Sequence, residues 1–144
     1  MAEQNFSNHV RMVPGFHYFV MPVMALNFGW PIYRLKVANF SLDAIVGVLV
    51  AAALVALMLY ARLFALAVQN RVIRMEERTR LERLLPEDLK PRIAEFSCRQ
   101  LIAMRFASDA ELPGLARKVL ADNIQEAKAI KQMVQNWRPD YLRA

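Results

Sequence analysis

Residues 44–61 carry no formal charge in 18 consecutive positions, being Ala, Val, Leu, Ile and Met with one glycine, Gly47, and one aromatic, Tyr60. At about 1.5 Å per residue a helix over this run is roughly 27 Å long, close to the depth of a bilayer's hydrocarbon core. Asp43 bounds one end and Arg62 the other, and the long stem of Arg62 lets its charge reach back to the headgroups. A core helix this apolar needs other apolar elements to wrap it, and the remainder of the chain has too few. The run therefore predicts a transmembrane helix.

The rest of the composition is organised around that run. Of the 144 residues 56% are hydrophobic, against about 45–50% in soluble domains. Residues 62–144 hold 16 of the 19 basic and 11 of the 13 acidic side chains. A second uncharged stretch, residues 16–33, contains His17, Pro22, Asn27, Gly29 and Pro31. Proline is tolerated in membrane helices where neighbours re-satisfy the freed carbonyl, so a span kinked near Pro22 is expected. Residues 34–43 then form the connection, beginning with Arg34 and Lys36. In such a hairpin Tyr18 and Tyr60 fall at one interface, and Trp30 and Tyr33 at the other, as an aromatic belt requires. Only Arg11 precedes the stretch as a positive charge within its flank, and no small-residue cleavage site follows it, which argues against a signal peptide.

Positive charge near the spans sets the expected orientation. Arg62, Arg71, Arg74, Arg78 and Arg80, together with Arg11, outnumber Arg34 and Lys36, so both termini are expected in the cytoplasm. The setting is an inner membrane with a short arm at residues 1–15.

Beyond the span, no proline or glycine occurs between Gly47 and Pro86, and good helix formers dominate. One continuous helix over residues 42–85 follows, its distal part (62–85) a cytosolic stalk on which Glu76 and Arg80 form an i,i+4 pair. Leu63, Leu66, Ile73 and Leu84 leave an apolar stripe interrupted by Asn70. Residues 86–144 read as short helices. The first opens at Pro86 and ends near Glu95; Ser97-x-x-Gln100 opens a second through Phe106. Ser108-x-x-Glu111 opens a third, with Leu112, Leu115, Val119 and Leu120 inward. After a break at Asp122-Asn123 the last runs to Trp137, stopped by Pro139. The fold class is all-α: a transmembrane hairpin, a stalk and a cytosolic bundle too small to be stable without the stalk, a neighbouring subunit or the membrane.

Residues 68–89 (VQNRVIRMEERTRLERLLPEDL), 99–113 (RQLIAMRFASDAELP) and 128–144 (KAIKQMVQNWRPDYLRA), with the two apolar stretches, resemble a bacterial family that is a domain of unknown function. The likeness covers essentially the whole chain. It implies a bacterial source, two spans and a helical carboxyl-terminal part, and it brings no catalytic or binding residues.

Candidate functional residues are few. Two His, one Cys and four Gly exclude most metal, thiol and phosphate-loop chemistries, and no GxSxG, HExxH or CxxC occurs. His17, among aromatics near an interface, is the one candidate ligand for haem or chlorophyll; otherwise it is a hydrogen-bonded interfacial side chain. Asn27 is costly in a span unless it faces a neighbour, and Gly47 and Ala51, near Ala44, permit close helix approach. Arg62, Arg71, Arg74 and Arg78 are placed to meet anionic lipid headgroups. Cys98 reads as a small buried apolar residue. A nucleic-acid role is disfavoured, because Glu111, Asp122 and Glu126 dilute the basic charge of residues 109–136. The function expected is non-catalytic: an accessory or scaffold subunit in the lipid bilayer, forming a homo-oligomer or part of a larger membrane complex. The alternative is a pigment- or haem-binding subunit of a photosynthetic or respiratory electron-transfer complex.

Overall fold

The computed structural model describes residues 4–8 and 12–140; Arg11, counted above for the orientation, lies outside them. Among the described residues every regular element is a helix, with one isolated antiparallel bridge beside them. Two compact units emerge, Arg11–Ala65, and Leu66–Ala144 together with Met1–Val10.

The first unit begins with a π-helical turn, Gly15–Val20, running directly into α1, Met21–Val37. The Met21 amide donates to the Phe16 carbonyl, five residues back. Pro22 follows with no amide to offer, so the disturbance expected there takes the form of a π turn in the preceding residues. Pro31 lies inside α1. The connection is far shorter than residues 34–43: α1 continues to Val37 and α2 begins at Leu42. Arg34 and Lys36 accordingly sit in the last turn of α1, where their charge complements the carbonyl end of the helix dipole. A four-residue turn is closed by left-handed residues, Asn39 at φ 51° and Phe40 at φ 60°. The Phe40 amide reaches the Leu35 carbonyl at 3.0 Å, and Ser41 opens α2 by accepting the Ala44 amide at 3.4 Å.

α1 and the first part of α2 run antiparallel. The Arg62 guanidinium lies 5.8 Å above the Phe16 ring, and a Cβ built on Gly47 would stand 3.9 Å from Pro31 Cβ. Fifteen positions along one helix match fifteen back along the other, so the two contacts define a single register.

α2 is continuous over Leu42–Leu84, 43 residues and about 65 Å. It is the one helix long and apolar enough to cross a membrane among the described residues, and only 11% of its apolar window is buried.

The second unit gathers the distal part of α2, a 3-10 turn at Lys90–Glu95, α3 (Cys98–Met104), α4 (Leu112–Ala121) and α5 (Ala127–Met133). The segment after Pro86 thus makes turns and a 3-10 stretch instead of an α-helix, with Pro91 in its first positions. The Ser97–Gln100 capping box forms in full: Ser97 Oγ accepts the Gln100 amide and Gln100 Oε1 accepts the Ser97 amide at 2.7 Å. Gln100 Nε2 also donates to the Ile124 carbonyl at 2.9 Å, tying α3 to the turn before α5. α4 buries Leu112, Leu115, Ala116 and Val119, one face of a helix by their 3,1,3 spacing. Leu81 and Leu85 of the stalk join this core with Leu101, Met104, Ile130 and Val134. The stalk supplies a wall of the small bundle, which is how so few residues close a core.

The last helix is shorter than its pattern suggests. α5 stops at Met133, and Val134 turns extended. Residues 134–138 cross the 106–108 segment as a strap: Ala107 bridges Trp137, the Ser108 amide donates to Asn136 O at 3.0 Å, and Arg138 donates to Phe106 O at 2.7 Å. The Trp137 ring lies tilted against Phe106, centroids 4.8 Å apart. Near the end of this strap the Asp140 amide donates to Gln4 Oε1 at 2.8 Å, so residues 4–8 belong with the bundle.

Candidate functional site

Each sequence-selected residue has a definite place. Four positions back from Pro31 is Asn27, and four on from Gly47 is Ala51, so these two lie level in the α1–α2 seam. Ala51 is 2% exposed, its methyl leaving room for the facing helix. Asn27 is half-buried, and its Nδ2 is enclosed without a hydrogen-bond partner. The seam therefore brings together Asn27, Gly47 and Ala51.

His17 sits in the π turn. Its Nδ1 lies 2.9 Å from the Val13 carbonyl oxygen and 3.1 Å from the Val13 amide nitrogen, and Phe16 meets its ring edge-on at 5.3 Å. One ring nitrogen is thus committed to the backbone. Among the described residues no group of three or more His, Cys, Asp or Glu is placed to hold a metal ion. A shallow groove of about 600 Å³ runs along α1 over Ala25, Leu26, Gly29, Trp30 and Tyr33.

The basic residues separate. Arg62 is half-buried on Phe16 in the first unit. Arg71 and Arg74 are exposed on the stalk; Arg78 is half-buried with its Nε enclosed and unpaired. At 100° per residue, Arg71, Arg74 and Arg78 fall within a 60° sector of α2.

The densest polar cluster is one the sequence did not reveal. Arg80 is 4% exposed and places all five of its N–H donors. Nε and Nη2 donate to Asp109 Oδ1 at 2.8 and 2.6 Å, Nη2 to Ala107 O at 2.6 Å, and Nη1 to Glu77 Oε2 at 3.2 Å and Arg105 O at 3.4 Å. The i,i+4 pair with Glu76 does not form. Arg80 turns into the core, so the carboxylate three residues back on the buried face, Glu77, takes the contact while Glu76 stays exposed. Burial raises the Glu77 carboxyl above its ordinary 4.5, opposed first by Arg80 and more weakly by Arg138 and Arg105. Asp109 is held below its ordinary 3.8, chiefly by the Arg80 hydrogen bonds. Nearby Arg105 pairs with Asp140 at 3.1 Å and covers the Phe106 ring at 4.5 Å.

Glu111 also works at long range. The Ser108 hydroxyl accepts the Glu111 amide at 3.4 Å, half of the expected box. The Glu111 carboxylate instead receives the Gln135 and Asn136 amides at 2.9 and 3.0 Å, anchoring the strap. Cys98 is half-buried, not buried, and its thiol points at the Asn70 carbonyl at 3.8 Å. These partners lie 24 to 29 residues apart in sequence, beyond the reach of local spacing. The one available signal was an arginine on the same helical face as Ile73 and Leu84.

Arg80 thus spends its donors on Glu77, Asp109 and the Arg105 and Ala107 carbonyls, joining α2 to the 105–109 turn. The surfaces left open are the apolar flanks of α1 and α2 and the basic side of the stalk. No curated protein and no solved structure matches the chain significantly. The chain belongs to DUF6526, a family of unknown function, over residues 1–144.

Proposed function

We propose that this family member is a non-catalytic integral protein of the bacterial inner membrane, an accessory or scaffold subunit that associates with itself or with a larger membrane complex. The observation that carries the reading is the state of α2: a helix whose apolar window is 11% buried, with Leu49, Val50, Leu57 and Leu59 more than half exposed. In water this surface is a severe liability; in lipid it is at home. The π turn and α1 form the second span of a hairpin. Together they cover Gly15–Val20 and Met21–Val37, about 34 Å of helix, and present Phe19, Leu26, Trp30 and Tyr33 outward. Arg34 and Lys36 at the end of α1 snorkel at one interface. Arg71, Arg74 and Arg78, past the other, keep the stalk and both termini cytoplasmic.

Extraction tests this. Membranes containing the protein are washed at alkaline pH in carbonate and floated; retention with the vesicles is expected. Release into the supernatant overturns the reading. Reporter fusions at residues 38–41 and after residue 140 then read the orientation, with only the latter expected in the cytoplasm.

A further inference from the structure

Within the second unit α2 has two faces. Ile73, Glu77, Arg80 and Leu81 are buried. Half a turn away, 180° from Glu77 at 100° per residue, Val68, Val72 and Met75 stand 62%, 48% and 70% exposed. They follow the uncharged run by 7 to 14 residues, roughly 10–21 Å along the axis, interspersed with Gln69, Asn70, Arg71, Arg74 and Glu76. On the membrane reading this stretch is in water, where an aligned apolar stripe marks a contact surface.

The charges beside the stripe select its occupant. Arg71 lies about 60° to one side of Val68 and Glu76 about 80° to the other, both exposed, and they are five residues apart. In two parallel helices meeting along such a stripe, a flanking residue reaches the one five positions on in its neighbour. A two-fold axis then pairs Arg71 of each copy with the partner's Glu76, twice. An antiparallel pairing would set the arginine side, Arg71 and Arg78, against itself. The next parallel pair, Arg78 with the partner's Arg83, is like-charged, so the favourable stretch ends at Met75. We propose that Val68, Val72 and Met75 join two copies of this chain side by side, in parallel, with reciprocal Arg71–Glu76 pairs fixing the register. The proposal rests on the membrane reading, because insertion in one direction makes the two stalks parallel.

The test uses the full chain, reconstituted in vesicles and carrying Cys98→Ser. Mild oxidation of a Met75→Cys variant is expected to give a disulfide-linked dimer. An Arg74→Cys variant, about 100° further round the helix, is expected to form no cross-link. In detergent, Arg71→Glu and Glu76→Arg are each expected to weaken dimerisation by about tenfold, two exposed pairs turning from attraction to repulsion. The double variant is expected to regain it, with far-UV circular dichroism checking that each remains folded. Equal cross-linking from Arg74→Cys, or a double variant no stronger than either single one, overturns the proposal. So does the absence of a cross-link at Met75→Cys in neutral and anionic vesicles alike. A monomer that still resists carbonate overturns the dimer and leaves the membrane reading standing.

Discussion

Arg80 shows what one buried cation does when every donor is met. Its replacement by alanine strands Glu77, 5% exposed, as a buried charge without its nearest partner. A loss of about 3–5 kcal/mol is expected, measured by urea titration in mild detergent with Trp137 fluorescence as the probe. Arg80→Lys should recover only part of this, since an ammonium has three donors and no planar fork. The two carboxylates respond to pH in opposite directions. Glu77 has a raised folded value, so its protonated form is favoured on folding, and stability falls as pH rises from 4.5 through that raised value. Asp109 has a lowered value; its contribution is present above 3.8 and is lost as pH falls through the folded value. Glu77→Gln is therefore expected to flatten the stability profile on the neutral side of pH 4.5, and Asp109→Asn to flatten it on the acid side of 3.8, both read by denaturant midpoints against pH. At the hairpin turn, Phe40 holds φ 60° while 64% exposed. Phe40→Gly should relieve the left-handed strain and raise the melting free energy of the hairpin by about 1 kcal/mol.

Between elements, the α1–α2 seam is set by small side chains. Gly47→Ala should be tolerated, because its Cβ would meet Pro31 Cβ at an ordinary 3.9 Å. Gly47→Leu should separate the helices and lower the melting temperature in detergent. Asn27→Leu removes an amide enclosed without a partner and should leave stability unchanged or higher by about 1 kcal/mol, in the same melting experiment. At this scale the sequence was informative wherever the signal was local. The long helix expected over residues 42–85 is Leu42–Leu84, because no proline falls within it and no glycine follows Gly47, near its start. The capping box at Ser97 lies within four residues and forms as expected. The 34–43 connection was overestimated because basic side chains read as loop when they were finishing a helix. α5 was overestimated because its apolar positions, Val134 and Trp137, face the core from an extended strap as readily as from a helix. The strap is held by Glu111 and by the backbone of 106–108, partners that no spacing rule connects. The Glu76–Arg80 expectation failed for a related reason: local spacing offers both Glu76 and Glu77, and only the direction of the core decides between them.

For the molecule as a whole, two units with different interiors should lose structure under different conditions. The second unit has an ordinary apolar core, while the first has exposed apolar flanks and a thin seam. Urea in detergent should unfold the second first, shifting the emission of Trp137 while that of Trp30 persists. A Trp30→Phe variant isolates the Trp137 signal and a Trp137→Phe variant the Trp30 signal. One coincident transition would show that the units are coupled more tightly than their cores suggest. In both units the sequence conveyed where apolar surface is needed; the closing contacts depended on residues brought together only by folding.

The saturation of Arg80 has a consequence for solvent choice. Guanidinium chloride presents the free counterpart of that side-chain head, able to occupy the same carboxylate and carbonyl acceptors while its salt masks their charge. Urea does neither as an ion. The carboxyl-terminal unit should therefore yield to guanidinium at a lower concentration, relative to urea, than a globule of equal size sealed by hydrocarbon alone.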